Sequence, residues 1–256
     1  MPVVLAVANQ KGGVAKTTTV HSIADALVAS GRRVLVVDLD PQASLTWAVG
    51  IDTETIELSL HDVLLRRAKA SDVLVKVGDL HVIPSSIDLA GTEVHLLTKT
   101  GREYVLRRAL EPVIDDYDLV LIDCPPSLGI LTINGLTAAT DVLIPLQCET
   151  LSQRGVGQLL ETIDDVRAYT NPNLRVMGVV ATMFDGRTRL AQQVIEEVRE
   201  TYSLEVLEPP IPKSVRVAEA PAKGQSVLAH APTSKSAEAY RALARVIDKR
   251  RKKDDR

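Results

Sequence analysis

Asn9-Gln10-Lys11-Gly12-Gly13-Val14-Ala15-Lys16-Thr17-Thr18-Thr19 is the stretch on which the fold turns. A run rich in β-branched residues precedes it (3–8), and the helix-like VHSIADALVAS (20–30) follows. A strand, a glycine-rich turn and a helix start make an anion nest, because successive backbone N–H groups and the helix N-terminus converge on one point. The lysine and threonine placed there suit a nucleotide polyphosphate. Lys16 reaches the β- and γ-phosphates and the Thr17 hydroxyl ligates Mg²⁺.

Outward from this loop, strand-like runs recur at 33–38, 80–84, 119–123, 142–145 and 176–181, with helix-like stretches between most of them. Parallel neighbours need crossover connections, so the spacing predicts an α/β fold: a mostly parallel twisted sheet with helices on both faces. Ligands then sit at the carboxyl ends of the strands. A single Phe and a single Trp leave Val, Leu, Ile and Ala to fill the core, as expected for a sheet buried on both sides. No linker breaks the 256 residues, which read as one domain, 1–256. The piece LHDVLLRRA (60–68) reads as an elaboration on it, and 208–224 as a long ordered loop. The last segment opens on Thr and Ser caps and places Tyr240, Leu243, Ala244 and Ile247 on one helical stripe. It ends in a basic tail, 249–256, expected to be frayed; a solvated helix end and non-specific DNA contacts both account for its charge.

Only Cys124 and Cys148 are present and no apolar run approaches a membrane span, so a cytoplasmic protein with reduced thiols is expected. A net charge of −3 argues against a wholly basic nucleic-acid binder, though a local basic face is compatible with it.

Aligned on Lys16 and Thr17, an ordinary P-loop would have glycine where this chain has Gln10 and Ala15. What fits is KGGxxKTT with an extra lysine, Lys11. Two further motifs close strands: Asp38-Leu39-Asp40-Pro41-Gln42 and Asp123-Cys124-Pro125-Pro126-Ser127. In this order they resemble the ParA/Soj/MinD group of ATPases, with their deviant Walker A loop. The resemblance implies ATP and Mg²⁺ as ligands, held over Lys11, Gly12, Gly13, Val14, Ala15, Lys16, Thr17 and Thr18. It gives Lys11 a role in trans, crossing a dimer interface to the partner's phosphates much as an arginine finger does. Carboxylates at strand ends point into the phosphate crevice. There Asp123 holds Mg²⁺ through water, Asp40 also reaches the metal and orients or deprotonates the attacking water, and Asp38 supports the metal from behind. Ala15 departs from the group's commoner glycine.

The likeness extends through TMFDGRTRLAQQV (182–194), IPKSVRVAEAPAKGQSV (211–227) and APTSKSAEAYRALARV (231–246), which resemble Soj-type segments. It implies adenine contacts at Met183, Pro212 and Ser214, although the pattern usually has Asn in place of Ser214. The same segments supply Arg187, Arg189, Lys213, Arg216 and Lys223, a basic face for DNA with little sequence preference. The expectation is a DNA-partitioning ATPase. ATP closes a sandwich homodimer on non-specific double-stranded DNA of the nucleoid, hydrolysis releases it, and a ParB-like centromere-binding protein stimulates turnover. The alternative is a MinD-like positioning ATPase at a membrane or cell pole. The Ala-rich stripe of the last helix, without Trp or Phe, favours docking on the core and no stable membrane association. An Fe–S cluster shared across a dimer is disfavoured, because neither cysteine lies in a glycine-rich cluster loop.

Overall fold

The computed structural model describes residues 2–149 and 152–254. From the N-terminus the elements are β1 (Val3–Val7), α1 (Lys16–Ala29), β2 (Val34–Asp38), α2 (Ser44–Ala48), α3 (Leu60–Leu64), β3 (Val75–Val77), β4 (Leu80–Ile83), α4 (Leu89–Leu96), α5 (Val105–Leu110) and β5 (Leu119–Asp123). The second half continues with α6 (Ile130–Ala138), β6 (Asp141–Gln147), α7 (Ser152–Tyr169), β7 (Arg175–Thr182), α8 (Arg189–Tyr202), β8 (Val206–Leu207), α9 (Val215–Glu219), α10 (Val227–His230) and α11 (Lys235–Asp254).

The strands form one sheet in the order β3-β4-β2-β5-β1-β6-β7-β8. Every pairing is parallel except β3 with β4. Alternation along the central strands sends side chains to two separate cores. Val4, Ala6, Leu35 and Val37 join Leu60, Leu106 and Leu131 on one face, which α3 to α8 cover. Leu5, Val7, Val34 and Val36 join Ile23, Leu45 and Tyr240 on the other, under α1, α2, α10 and α11. Burial on both faces explains the near-continuous apolar runs of the central strands.

The register carries the functional consequence. β2 and β5 pair with Asp38 opposite Asp123, so two carboxylates leave adjacent strands at the same level. The loop after β1 emerges beside them, because β1 pairs with β5 up to Val7 and Asp123.

Two short strands pass unread in the sequence, and three local expectations differ from the structure. The edge strands β3 and β8, three and two residues long, are too short to leave a periodic trace in the sequence. The helix expected over 60–68 stops at Leu64, where Leu65 caps it and Arg66 turns left-handed at φ 60°. The loop at 208–224 contains α9 and a 3-10 turn at Pro221–Lys223. The basic tail is helical to Asp254: Arg250 donates to the Met177 carbonyl at 2.8 Å and pairs with Glu205, fastening this stretch to the sheet. Residues 255–256 lie outside the described residues.

Tyr240, Leu243, Ala244 and Ile247 are all buried, so the last helix packs on the sheet through the stripe read from the sequence. Ser234 caps it by accepting from the Ala237 N–H at 3.2 Å, and Arg32 of the α1–β2 turn donates to Asp248 at 3.0 Å. Among the described residues no helix is long and apolar enough to cross a membrane. Truncating a wholly buried leucine leaves a cavity as well as losing transfer energy. Leu243→Ala should therefore lower unfolding free energy by about 2–5 kcal/mol in urea titration; a change near zero would mean that α11 is not part of the folded core.

Candidate functional site

The loop between β1 and α1 is braced from both sides. Buried Asn9 donates through Nδ2 to the Pro145 carbonyl at 2.7 Å and accepts the Lys11 N–H through Oδ1 at 3.0 Å. Farther along, the Thr182 hydroxyl donates to the Val14 carbonyl at 3.0 Å, tying the loop to the end of β7. Gly13 at φ 73° and Ala15 at φ 65° both take the left-handed conformation. Glycine adopts it freely, whereas a Cβ makes it unfavourable by roughly 1–2 kcal/mol. The departure at Ala15 therefore falls at a position whose geometry suits glycine, at the N-cap of α1.

Lys16 is 7% exposed, with its Nζ folded back onto the Lys11 carbonyl at 3.3 Å. Burial pushes its pKa down, and the charges of Asp123 and Asp40 oppose the shift. The Thr17 hydroxyl donates to Asp123 Oδ2 at 2.7 Å. Burial and the neighbouring Asp38 hold Asp123 well above the usual carboxylate range. Its other oxygen, Oδ1, is buried and has no hydrogen-bond partner among the described residues.

Asp38 uses its oxygens within the chain. Oδ2 accepts from the Thr46 N–H at 2.8 Å and the Thr46 hydroxyl at 2.7 Å, and Oδ1 accepts from the Asp40 N–H at 3.2 Å. Burial is the chief reason its pKa is pushed up to about 6. The Asp38 carboxylate thus fixes the loop carrying Asp40 and the start of α2. Ser85 completes the brace: its hydroxyl donates to the Asp40 carbonyl at 2.7 Å and its N–H to the Thr46 hydroxyl at 2.9 Å. Asp40 accepts from the Gln42 N–H through Oδ1 at 2.9 Å, and Oδ2 makes no protein hydrogen bond among the described residues.

These residues fit Mg²⁺. That ion takes oxygen ligands, one or two protein carboxylates, several waters and substrate phosphates. Thr17, Asp123 and Asp40 supply oxygens only, and the orphaned Asp123 Oδ1 is a buried acceptor awaiting a donor or cation. Among the described residues no group of three or more His, Cys, Asp or Glu forms a protein-only cage. Cys124 is buried and its thiol is pushed far up, which makes it an inert core residue.

Lys11 points elsewhere. Its Nζ pairs with Glu149 at 3.2 Å on the surface. Exposed pairs of this kind contribute about 0–1 kcal/mol, so a phosphate brought to this surface would recruit Lys11 readily.

Beside the loop opens a cleft of about 670 Å³. Gly13, Ala15 and Thr18 border it on one side, Met183, Pro212 and Ser214 on the other, with Val217 and Tyr240 also in its lining. The three residues read as adenine contacts thus converge beside the phosphate loop. A Phe184–Pro212 bridge joins the two segments that carry them, with the Phe184 N–H donating to Ile211 at 2.9 Å. The two segments also carry Arg187, Arg189, Lys213, Arg216 and Lys223, all exposed. Arg187 pairs with Asp185 at 2.8 Å and Arg216 with Glu219 at 3.1 Å, so part of their charge is spent locally. A larger cleft, about 780 Å³, lies near Val4, Thr140 and Arg175 at the opposite end of the sheet. Its Asn171 already donates to the carbonyls of Leu136, Thr137 and Ala139.

Asn9, Thr46, Ser85, Thr182 and Tyr240 are site residues that the motifs do not announce. Ser85 lies just past the end of β4, whereas Thr46 lies inside α2. Replacing Ala15 with glycine relieves the left-handed Cβ and returns some unfolded-state entropy. Ala15→Gly should raise unfolding free energy by about 1 kcal/mol in nucleotide-free protein; a loss of stability would show that the methyl packs favourably.

Residues 3–176 match the AAA_31 family, described as an AAA domain. The sporulation initiation inhibitor protein Soj of Bacillus subtilis is 44% identical over 95% of this chain and 97% of its own length. The chromosome partitioning protein ParA of Caulobacter vibrioides is 45% identical over 95% and 93%. Among solved structures, a Mycobacterium smegmatis protein described as cobyrinic acid a,c-diamide synthase, with a bound ATP analogue and magnesium, is 50% identical with a TM-score of 0.88. The alignment covers 100% of this chain and 98% of that one. With three strand-end motifs in order and likeness along nearly its whole length, the chain belongs to the ParA/Soj family of ATPases.

Proposed function

We propose that the chain is a partition ATPase that switches onto DNA when ATP closes a homodimer. The observation that carries the reading is the buried, unpartnered Asp123 Oδ1 beside Thr17 and Lys16, an arrangement that a Mg²⁺-bound polyphosphate satisfies.

In this reading Lys16 leaves the Lys11 carbonyl for the β- and γ-phosphates, and the N–H groups of 12–18 hold their oxygens. Thr17, Asp123 and Asp40 would hold Mg²⁺, which would supply positive charge against that of the phosphates. Asp40 accepts a hydrogen bond from the attacking water and takes its proton, its loop fixed by Asp38, Thr46 and Ser85. Lys11 leaves Glu149 and reaches the partner protomer's phosphates, which makes dimerisation part of the nucleotide site. Adenine lies in the apolar cleft against Met183, Pro212 and Ser214, where serine offers a hydroxyl in place of an amide.

Arg187, Arg189, Lys213, Arg216 and Lys223 bind the phosphates of double-stranded DNA without reading bases. The protein is then cytoplasmic and nucleoid-associated, and a ParB-like centromere-binding protein is the expected stimulator of hydrolysis. Burial of the apolar stripe of α11 speaks against the membrane-positioning reading. The experiment is Arg216→Glu in the ATP-bound state on random-sequence duplex. Affinity should fall and the salt slope shrink by about 1 while ATP affinity stays unchanged. Unaltered DNA affinity would remove Arg216 from the face. No DNA binding by the unmutated protein with ATP would favour a positioning or synthase role.

A further inference from the structure

On the sheet face opposite that under the 211–224 segment lies a second concentration of positive charge, between the end of α3 and α5. A groove of about 510 Å³ runs there. Its floor is apolar, with Val63 buried and Ala68, Val105 and Ala109 packed against the core. Its rim is Arg66, Arg67, Lys69 and Arg108, all exposed.

Among the described residues none of these four cations makes an ion pair, in contrast to Arg187 and Arg216. Arg67 meets only the ring nitrogen of His61, at 3.2 Å, and Arg108 lies 6.0 Å from the Tyr104 ring. The one carboxylate in the lining, Asp72, is engaged in its own turn, accepting from the Lys69 N–H at 2.9 Å and the Ser71 hydroxyl at 3.2 Å. Four uncompensated cations around one groove, on a chain of net charge −3, form a local field that an anionic partner would neutralise. Arg66 adds a second sign. It occupies the left-handed position that ends α3, where glycine is the ordinary helix stop, so the chain places a long cation where the backbone favours none.

We propose that this groove docks an acidic amphipathic segment of a protein partner. Apolar side chains on one face of the segment would cover the floor, while Asp and Glu pair with the arginine and lysine rim. An apolar floor contributes nothing to a phosphate backbone, which needs only charge and reach. The site is separate from the nucleotide cleft and shares none of its lining residues.

The test is selection of displayed random peptides of about 16 residues on the unmutated protein, followed by affinity measurement on variants. Enriched peptides should carry acidic residues interleaved with apolar ones at helical spacing, and Arg66→Glu/Arg108→Glu should weaken them about tenfold or more without altering ATPase rate. Arg66→Gly separates contact from folding: it should raise the melting temperature by relieving the helix stop yet still weaken the peptides. Enriched peptides without acidic bias, or equal binding to the charge-reversed protein, would overturn the proposal. So would a charge-reversed protein that loses duplex affinity and keeps the peptides, which would make the groove a nucleic-acid surface.

Discussion

Two carboxylates leave adjacent parallel strands in register, inside the protein, with buried Lys16 close enough to Asp123 for their charges to interact. Removing such charges from water is expensive unless each finds a partner. Asp38 is answered by Thr46 and the Asp40 N–H, Asp123 by Thr17 on one oxygen only, and Lys16 by a carbonyl that it would exchange for phosphate. The remaining deficit, Asp123 Oδ1, sits where a metal-bound nucleotide would make it good. Ligand binding and the repair of an electrostatic imbalance are then the same event, which is how a small ligand gains leverage over the conformation around it.

That leverage has short routes outward. The phosphate loop is bonded to β7 through Val14 and Thr182, the strand that leads to Met183 and the basic segment. On the other side α2, fixed by Asp38, is followed by Gly50, whose backbone lies against that of Gly224 at the end of the 211–224 segment. A Cβ on Gly224 would stand 2.8 Å from the Gly50 Cα. Only glycine allows two chains to approach so closely at these positive φ angles.

The central strands and the phosphate loop were legible in the sequence because both rest on local chemistry. β-branched runs ending in Asp38 and Asp123, and glycines before Lys16, are contiguous signals. The stripe of α11 was legible for the same reason. The braces were not: Ser85 meets Thr46 and Asp40 only after β2 and β4 pair, and Asn9 reaches Pro145 across 136 positions. Nor does composition reveal which cations are spent. Arg187 and Arg216 stand near acids of their own segments, whereas Arg66 and Arg108 come together only through the packing of α3 and α5. The proposed passage of Lys11 to a partner rests on the resemblance to the ParA/Soj group, because in the single chain Lys11 pairs with Glu149.

The central claim is that nucleotide state governs DNA binding. It is tested most directly by a mobility-shift titration of Asp40→Ala protein on random-sequence duplex at low salt, with ATP and with ADP. Loss of Asp40, the group we propose takes the water's proton, should hold the ATP state, giving a shift with ATP and none with ADP. Equal shifts in both states, or none in either while ATP still drives dimerisation, would contradict the account.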